Sequence, residues 1–178
     1  MRERQASRGA RRVREFEVFV AGAAGRLLHA ATLLTAEAPD DNPRARRLLT
    51  LALAHTYACW DRPRGEDPYD RARRHLVTRF AREAWHRHGG PGRARRQSPG
   101  TTAALTPQER LVVVLRLYDG MAEEQAAALL GLPADRVRVL CDRAVVALTR
   151  PPGTGGTRPR GDAVVSAVSP RPDEGRRR

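Results

Sequence analysis

Residues 105–149 decide the fold of the C-terminal part of the chain, and they read LTPQERLVVVLRLYDGMAEEQAAALLGLPADRVRVLCDRAVVALT. Thr106 and Glu109 have the spacing of a capping box, and Pro107 between them is a residue type preferred at the first helical position. A helix is therefore predicted to begin at residue 107 and to end at Asp119-Gly120, a pair typical of turns.

Two further short helices are predicted within the same stretch. Residues 123–130 form the second, where Glu123 and Glu124 are favourably placed near the positive end of the helix dipole. Gly131 is expected to supply a left-handed turn, and Pro133 opens the third helix. Three helices with these start and stop signals are typical of a helix-turn-helix, which places its last helix in the major groove of DNA.

The last of these helices has two unlike faces at 100° per residue. The positions predicted to be buried are Val137, Cys141, Ala144 and Leu148. The positions predicted to face outward are Arg136, Arg138, Val139, Asp142, Arg143 and Arg150. Arginines on such a face are suited to base edges and phosphates. The alternative interpretation is the solvated face of a small bundle that binds protein.

The composition favours a helical protein with a polyanionic partner. The chain has 178 residues, a formal net charge of +13, and arginine as its only strongly basic residue type. Aromatic residues are scarce, so the core must be built from Leu, Val and Ala, and an all-α fold is predicted. Cys59 and Cys141 fall at apolar helical positions and are expected to be reduced. With no apolar run of membrane-spanning length and no signal peptide, the protein is expected to be cytoplasmic, without a membrane partner.

The chain divides into five predicted segments. Residues 1–14 are expected to be a disordered basic arm. Residues 15–88 are predicted to be a three-helix module that begins with Phe16, Val20, Ala23, Leu27, Ala31 and Leu34 at helical spacing. Residues 89–104, GGPGRARRQSPGTTAA after His88, have the composition of a flexible linker. The helix-turn-helix module occupies residues 105–150, and residues 151–178 are expected to be a disordered tail.

The third helix of the first module is predicted to carry a basic side. The side consists of Arg71, Arg74, His75, Thr78, Arg79 and Arg82, with Trp85 at its edge. A basic stripe beside an exposed ring suits single-stranded DNA, since arginines bind phosphates and an indole stacks on a base. The alternative is a solvated face with Trp85 buried against the first helix. The sequence shows no grouping typical of a catalytic centre, a metal site or a cofactor site, so none of these is expected.

Several of these segments resemble the extracytoplasmic-function sigma factors of bacterial RNA polymerase. The start EFEVFV at residues 15–20 is similar to the FEEFV start of an actinobacterial branch. The stretch AHTYACW at residues 54–60 is similar to the family's RTYRRW, and PYDRARRHLVTR at residues 68–79 to its AYVRRVLVNR. The likeness covers about residues 15–150 and is strongest at residues 108–138.

The resemblance implies a sigma region 2-like module, a sigma region 4-like module and two principal partners, promoter DNA and core RNA polymerase. The duplex promoter readers would be Arg136, Arg138, Val139, Asp142 and Arg143. The melted strand would meet the loop at residues 61–67 and Arg71, Arg74, Arg79, Arg82 and Trp85. Core polymerase would dock on α-helical positions Arg46, Arg47, Leu49 and Thr50. An anti-sigma factor is a further expected partner of the family.

Some positions depart from the family pattern. The family's acidic AEDLVQEAL is matched by ARRLLTLAL at residues 45–53, so that Arg46 and Arg47 replace acids. Like-charge contacts at a docking surface cost several kcal/mol. Val139 and Leu140 stand where the family has polar residues, and Ala122 replaces a capping serine, a loss of about 1 kcal/mol. The alternative function is therefore a degenerate sigma-like DNA-binding regulator, or a protein-binding decoy, that does not engage polymerase normally.

Overall fold

The computed structural model describes residues 2–61, 67–87 and 100–150, which consist of helices and connecting turns. The helices are α1 (Arg2–Thr35), α2 (Pro43–Ala58), α3 (Pro68–Arg87), α4 (Pro107–Val113), α5 (Glu123–Leu130) and α6 (Ala134–Thr149). Helix α4 continues without a break into a π-helical segment, Val114–Tyr118. The all-α prediction is confirmed for this part of the chain.

Helix α1 is longer than the sequence predicted. Residues 2–14, expected to be a disordered arm, continue the helix toward the N-terminus. The cause is a tertiary contact: Arg12 is half-buried, and its guanidinium pairs with Asp61 at 2.8 Å and lies 4.4 Å from the centre of the Tyr57 ring. These contacts with the end of α2 keep the chain helical on the N-terminal side of Phe16, the residue where the apolar pattern begins. The prediction of a disordered arm is therefore wrong for residues 2–14.

Helices α1, α2 and α3 pack side by side, each through a stripe of small and branched apolar residues. Leu27 and Leu34 of α1 and Leu76 of α3 are at most 1% exposed. The part of α1 from Ala6 to Thr35 is long and apolar enough to cross a membrane by length and composition alone. Its buried stripe packs on α2 and α3, which is the arrangement of a core helix.

The turn between α1 and α2 is organised by Glu37. Its carboxylate accepts hydrogen bonds from the Ala45 backbone N–H at 2.8 Å and from the Arg44 N–H at 3.1 Å, which satisfies free donors at the start of α2. The same carboxylate accepts from the hydroxyl of Thr35 at 2.9 Å. This side chain therefore fixes the direction in which α2 leaves α1.

The two predicted modules share one hydrophobic core. One buried cluster joins Leu34 of α1 and Phe80 of α3 to Leu115 in the π-helical segment and Val137 of α6. Helix α4 and the π-helical segment that continues it contact both modules, and for that reason the five consecutive residues Leu111–Leu115 are all buried. Separate units joined only by a flexible tether, as the segment boundaries implied, are therefore not what the structure shows.

The end of the predicted linker is ordered. The hydroxyl of Thr102 donates to the carbonyl of Leu33, and the Gly100 N–H donates to the carbonyl of Ala36 at 3.1 Å. A Cβ atom on Gly100 would overlap the backbone of Ala36 and Glu37, so the close approach requires glycine. The flexible-linker prediction is thus wrong for residues 100–104, while residues 88–99 and the predicted tail, 151–178, lie outside the described residues.

Candidate nucleic-acid interface

The helix-turn-helix is built as the sequence indicated. Thr106 and Glu109 form the predicted capping box: the Glu109 N–H donates to Thr106 Oγ1 at 3.3 Å, and the Thr106 N–H donates to Glu109 Oε2 at 2.8 Å. Gly131 has φ 65° and turns the chain from α5 into α6. The small residues Ala126 and Ala127 are buried where α5 meets its neighbours, which allows close packing of the helices.

At the start of α5, Ala122 provides half of a capping box. Its backbone N–H donates to Gln125 Oε1 at 3.3 Å, but its methyl group offers no acceptor to the helix N-terminus. The expected loss of a capping hydrogen bond at this position is confirmed.

The outer face of α6 presents most of the predicted duplex readers to solvent. Arg136, Val139, Asp142 and Arg143 are exposed, and the seven-residue spacing between Arg136 and Arg143 separates their Cα atoms by about 10 Å along the helix. That distance matches about three base pairs at 3.4 Å each. The arrangement therefore suits a basic helix that follows a groove.

The buried face of α6 differs in part from the prediction. Leu140 is 3% exposed and belongs to the core, whereas Leu148 is 37% exposed and Cys141 is only partly buried. Leu140 therefore does not stand on the reading face, and its apolar character removes no base contact. The correction has a tertiary cause: α4 and α5 both pack on α6, which shifts the buried arc toward Leu140.

Arg138 differs from the other basic residues of α6 because it is held by acids of its own chain. Its guanidinium lies 2.8 Å from Glu123 and 3.5 Å from Asp135. The hydrogen bond to Glu123, followed by the charges of Glu123 and Asp135, raises the pKa of Arg138 above its ordinary value. In the protein without DNA, the carboxylates of Glu123 and Asp135 thus neutralise much of the positive charge of Arg138.

Helix α3 carries a second basic surface. Arg74, Arg79 and Arg82 are exposed, and Arg79 pairs with Glu83 at 3.1 Å. Arg71 is half-buried and donates to the carbonyl of Cys59 at 3.0 Å, so it also ties α3 to the end of α2. The side chain of Trp85 and the loop residues 62–66 lie outside the described residues, and their predicted contact with the melted strand stays a prediction.

Two histidines flank this basic surface. The rings of His55 and His75 are stacked, with centroids 4.2 Å apart and planes inclined by 17°. Burial, and then the neighbouring His55, Arg79 and Arg82, lower the pKa of His75. His75 is therefore expected to remain neutral near pH 7 and to add stacking area rather than charge to the surface.

The predicted polymerase-docking positions on α2 fall into two groups. Arg46, Arg47 and Thr50 are exposed; the Arg46 guanidinium donates to Asn42 Oδ1 at 2.9 Å, and Thr50 Oγ1 donates to the Arg46 carbonyl at 2.9 Å. Leu49 instead packs against the buried cluster that contains Leu27. The exposed side of α2 at these predicted docking positions is therefore polar and basic.

The comparisons with known proteins identify the family. Residues 103–150 match the family described as Sigma-70, region 4. The RNA polymerase sigma-E factor of Streptomyces coelicolor is 30% identical over 154 residues, covering 76% of this chain and 85% of that protein. The chain belongs to the extracytoplasmic-function sigma factors of RNA polymerase.

A second Streptomyces sigma-E factor and one solved structure are also similar to this chain. The sigma-E factor of Streptomyces avermitilis is 29% identical over 154 residues, covering 76% of this chain and 84% of that protein. The complex of the anti-anti-sigma factor PhyR with the anti-sigma factor NepR from Bartonella quintana gives a TM-score of 0.48 at 17% identity, over 74% of this chain and 48% of that one. The sigma factor interpretation is favoured over a degenerate regulator, while the FEEFV-type branch stays a prediction.

The junction between the two modules of this sigma factor contains a polar group that the sequence did not reveal. Both carboxylate oxygens of Asp119 are buried without a hydrogen-bond partner among the described residues. Burial raises the pKa of Asp119, and the charges of Arg73 and Arg26 oppose that rise. The neighbouring Tyr118 hydroxyl donates to the Arg26 carbonyl at 3.1 Å.

Arg26 connects the two aromatic residues of this junction. Its guanidinium lies 5.3 Å from the centre of the Tyr69 ring and 6.0 Å from that of Tyr118. These contacts join α1, α3 and the π-helical segment around a buried carboxylate. The sequence indicated only a turn at Asp119, because nothing local showed that α1 and α3 would cover it.

Proposed function

We propose that this sigma factor directs RNA polymerase to promoters and that the outer face of α6 binds the duplex minus-thirty-five element. The observation that carries the proposal is the exposed row of Arg136, Val139 and Arg143 on α6, the last helix of a sigma region 4-like helix-turn-helix. Arginine pairs with guanine edges or phosphates, and valine suits the methyl group of thymine. Asp142 between them accepts a hydrogen bond from a cytosine amino group and disfavours phosphate at that position.

We assign the melted minus-ten strand to the basic side of α3. Exposed guanidinium groups at Arg74, Arg79 and Arg82 suit a single-stranded phosphate backbone. Arg71 and Trp85 complete the proposed surface, with Trp85 offering an indole on which an unstacked base is held. The Arg79–Glu83 pair is exposed and contributes little to stability, so phosphate readily replaces Glu83 as the partner of Arg79.

The proposed polymerase-docking surface is formed by Arg46, Arg47 and Thr50 on the exposed side of α2. Leu49 supports it from beneath rather than meeting the partner. Because two arginines occupy positions that are acidic in the family pattern, docking at this surface is expected to be weaker than in typical members. The remaining contacts with polymerase must then supply the binding free energy that this surface lacks.

The remaining roles follow from the same proposal. The protein acts by binding, with no catalytic step, metal or cofactor of its own, and in the cytoplasm where DNA and polymerase are found. An anti-sigma factor is a further proposed partner, on the strength of the family. In the present arrangement, α3 and α4 share a core, so the two proposed DNA surfaces are parts of one packed unit.

In-vitro transcription with purified core polymerase tests the proposal. A library of genomic promoter fragments is transcribed with the wild-type protein and with Arg136→Ala plus Arg143→Ala. We expect a small set of promoters that depends on the wild-type protein and is lost in the variant. Arg44→Gln, an exposed arginine outside the three surfaces, serves as the control and should retain activity. Transcripts that are equally strong with the double variant would contradict the role of α6.

A further inference from the structure

The first turns of α1 carry a concentration of charge that none of the three surfaces above uses. Residues 2–14 contain six arginines and one glutamate, on a segment that is helical rather than unstructured. Every residue from Ala6 to Arg11 is exposed, as is Arg4. Burial within this chain therefore does not explain the composition of this segment.

The arginines of this segment form a row because the segment is helical. Arg4, Arg8 and Arg11 follow one another at spacings of four and three residues, which places them on one side of a helix. Arg4 and Arg11 are about 10 Å apart along the axis at 1.5 Å per residue. That distance corresponds to about three phosphates of one strand at 3.4 Å each.

The direction of the row is fixed by contacts at its base. Arg12 donates to the Tyr57 carbonyl at 2.5 Å and pairs with Asp61 at 2.8 Å. The Phe16 ring lies 4.9 Å from that of Tyr57 and 5.2 Å from that of Trp60, both edge-on. The extension therefore emerges beside Asp61, where the loop assigned to the melted strand begins.

We propose that Arg4, Arg8 and Arg11 form a phosphate-binding row that holds the DNA backbone next to the melted-strand surface. This proposal rests on the proposed function, because it places the row next to the surface that was assigned to the melted strand. Arg11 gives up only an exposed pair with Glu15, at 2.7 Å, which contributes little. The binding is sequence-independent, because phosphate contacts position a protein on DNA without reading bases.

The residues of the extension favour DNA over a membrane surface. A helix that lies on a bilayer needs an apolar face rich in large side chains opposite its basic face. Here the apolar residues of the segment are Ala6, Ala10 and Val13, and two of these are methyl groups only. The row therefore offers charge without the apolar area that a bilayer requires.

Salt-dependent binding of the full-length protein to DNA tests this row. Fluorescence anisotropy is measured against NaCl concentration with a labelled fork, a random-sequence duplex that ends in a single-stranded arm. The variant Arg4→Gln, Arg8→Gln, Arg11→Gln retains good helix formers. It is expected to lower the slope of log K against log salt by about two to three, since each lost phosphate contact removes about 0.7 to 0.9.

A matched pair of single substitutions separates a local contact from a general loss of charge. Arg8→Gln should lower the slope by about 0.7 to 0.9, whereas Arg44→Gln on α2 should leave it unchanged. An unchanged slope in the triple variant would overturn the proposal, and so would equal decreases in slope for Arg8→Gln and Arg44→Gln. Loss of binding by the triple variant to vesicles of phosphatidylserine alone, with DNA binding intact, would overturn it as well. If the wild-type protein itself fails to bind the fork, the row is overturned, whereas the proposed function fails only if transcription with core polymerase shows no dependent promoter.

Discussion

Replacement of single arginines on α6 gives the sharpest quantitative prediction, because two of them differ in their partners within the chain. Arg143 is exposed, and no acid of the described residues forms an ion pair with it. Arg138 is exposed too, but it is held 2.8 Å from Glu123, whose side chain is only 15% exposed, and 3.5 Å from Asp135, so its pairing is stronger than the more exposed Arg11–Glu15 pair. Arg143 therefore reaches a phosphate with its full charge, whereas Arg138 must share or exchange its partners.

The magnitudes follow from counterion release. Arg143→Ala should flatten the dependence of log K on log salt by about 0.9, the contribution of one phosphate contact on duplex DNA. Arg138→Ala should flatten it by clearly less. Glu123→Gln should steepen it by up to about 0.9, since it releases the charge of Arg138 toward the DNA. Loss of the Glu123 carboxylate at the start of α5 costs about 0.3 to 1 kcal/mol of stability, which a folded domain tolerates.

The assay is titration of a labelled duplex at several NaCl concentrations with the wild-type protein and the three variants. Circular dichroism and thermal unfolding confirm that each variant remains folded at the assay temperature. Equal slopes for Arg143→Ala and Arg138→Ala would contradict the argument from ion pairing. An unchanged slope for Arg143→Ala would remove that residue from the interface altogether.

Three further predictions concern stability and docking. Asp119→Asn should stabilise the protein by about 1 kcal/mol near pH 7, because it removes the charge of a buried carboxylate that has no hydrogen bond among the described residues. Since burial raises the pKa of Asp119 in the fold, the destabilising effect of its carboxylate appears as pH rises, and the gain from Asn should vanish below about pH 4. A pH-independent gain in urea unfolding would refute that reason. Leu115→Ala should lower the free energy of unfolding by about 2–5 kcal/mol, because Leu115 is fully buried in the shared core. The variant should still unfold in one cooperative transition that includes both modules. Two separate unfolding transitions would argue against a shared core. Arg46→Glu with Arg47→Asp should strengthen binding to core polymerase by restoring attraction, and a loss of binding in a pull-down would reverse the assignment of this surface.

The local signals of the sequence were sufficient wherever a helix terminus has its own chemistry. Thr106 with Glu109, and Gly131 with its left-handed backbone, lie where the spacing indicated. These features depend on hydrogen bonds and backbone torsions within a few residues, so no distant part of the chain alters them. The same holds for the basic face of α6, because any residue of a helix that points away from the core stays exposed.

The errors of prediction share one cause, which is contact between parts of the chain that are far apart in sequence. Helical periodicity placed Cys141 and Leu148 toward the core of α6, but the packing of α4 and α5 buries Leu140 instead. The composition of residues 2–14 indicated disorder, yet the ion pair of Arg12 with Asp61, 49 positions further along by their numbering, anchors a continuous helix. The Arg12–Asp61 contact leaves no local trace, since each of the two residues alone has an ordinary surface sequence.

The amino-acid sequence by itself determined the all-helical fold, the ends of the helix-turn-helix helices, the positive charge and the likeness to sigma factors, because periodicity, capping and composition are properties of short segments. Only the tertiary structure decided that the two modules share one core, that Asp119 is buried between them and that Arg138 is balanced by Glu123. These outcomes depend on which surfaces come into contact when the chain folds, and the sequence of one surface does not identify the other.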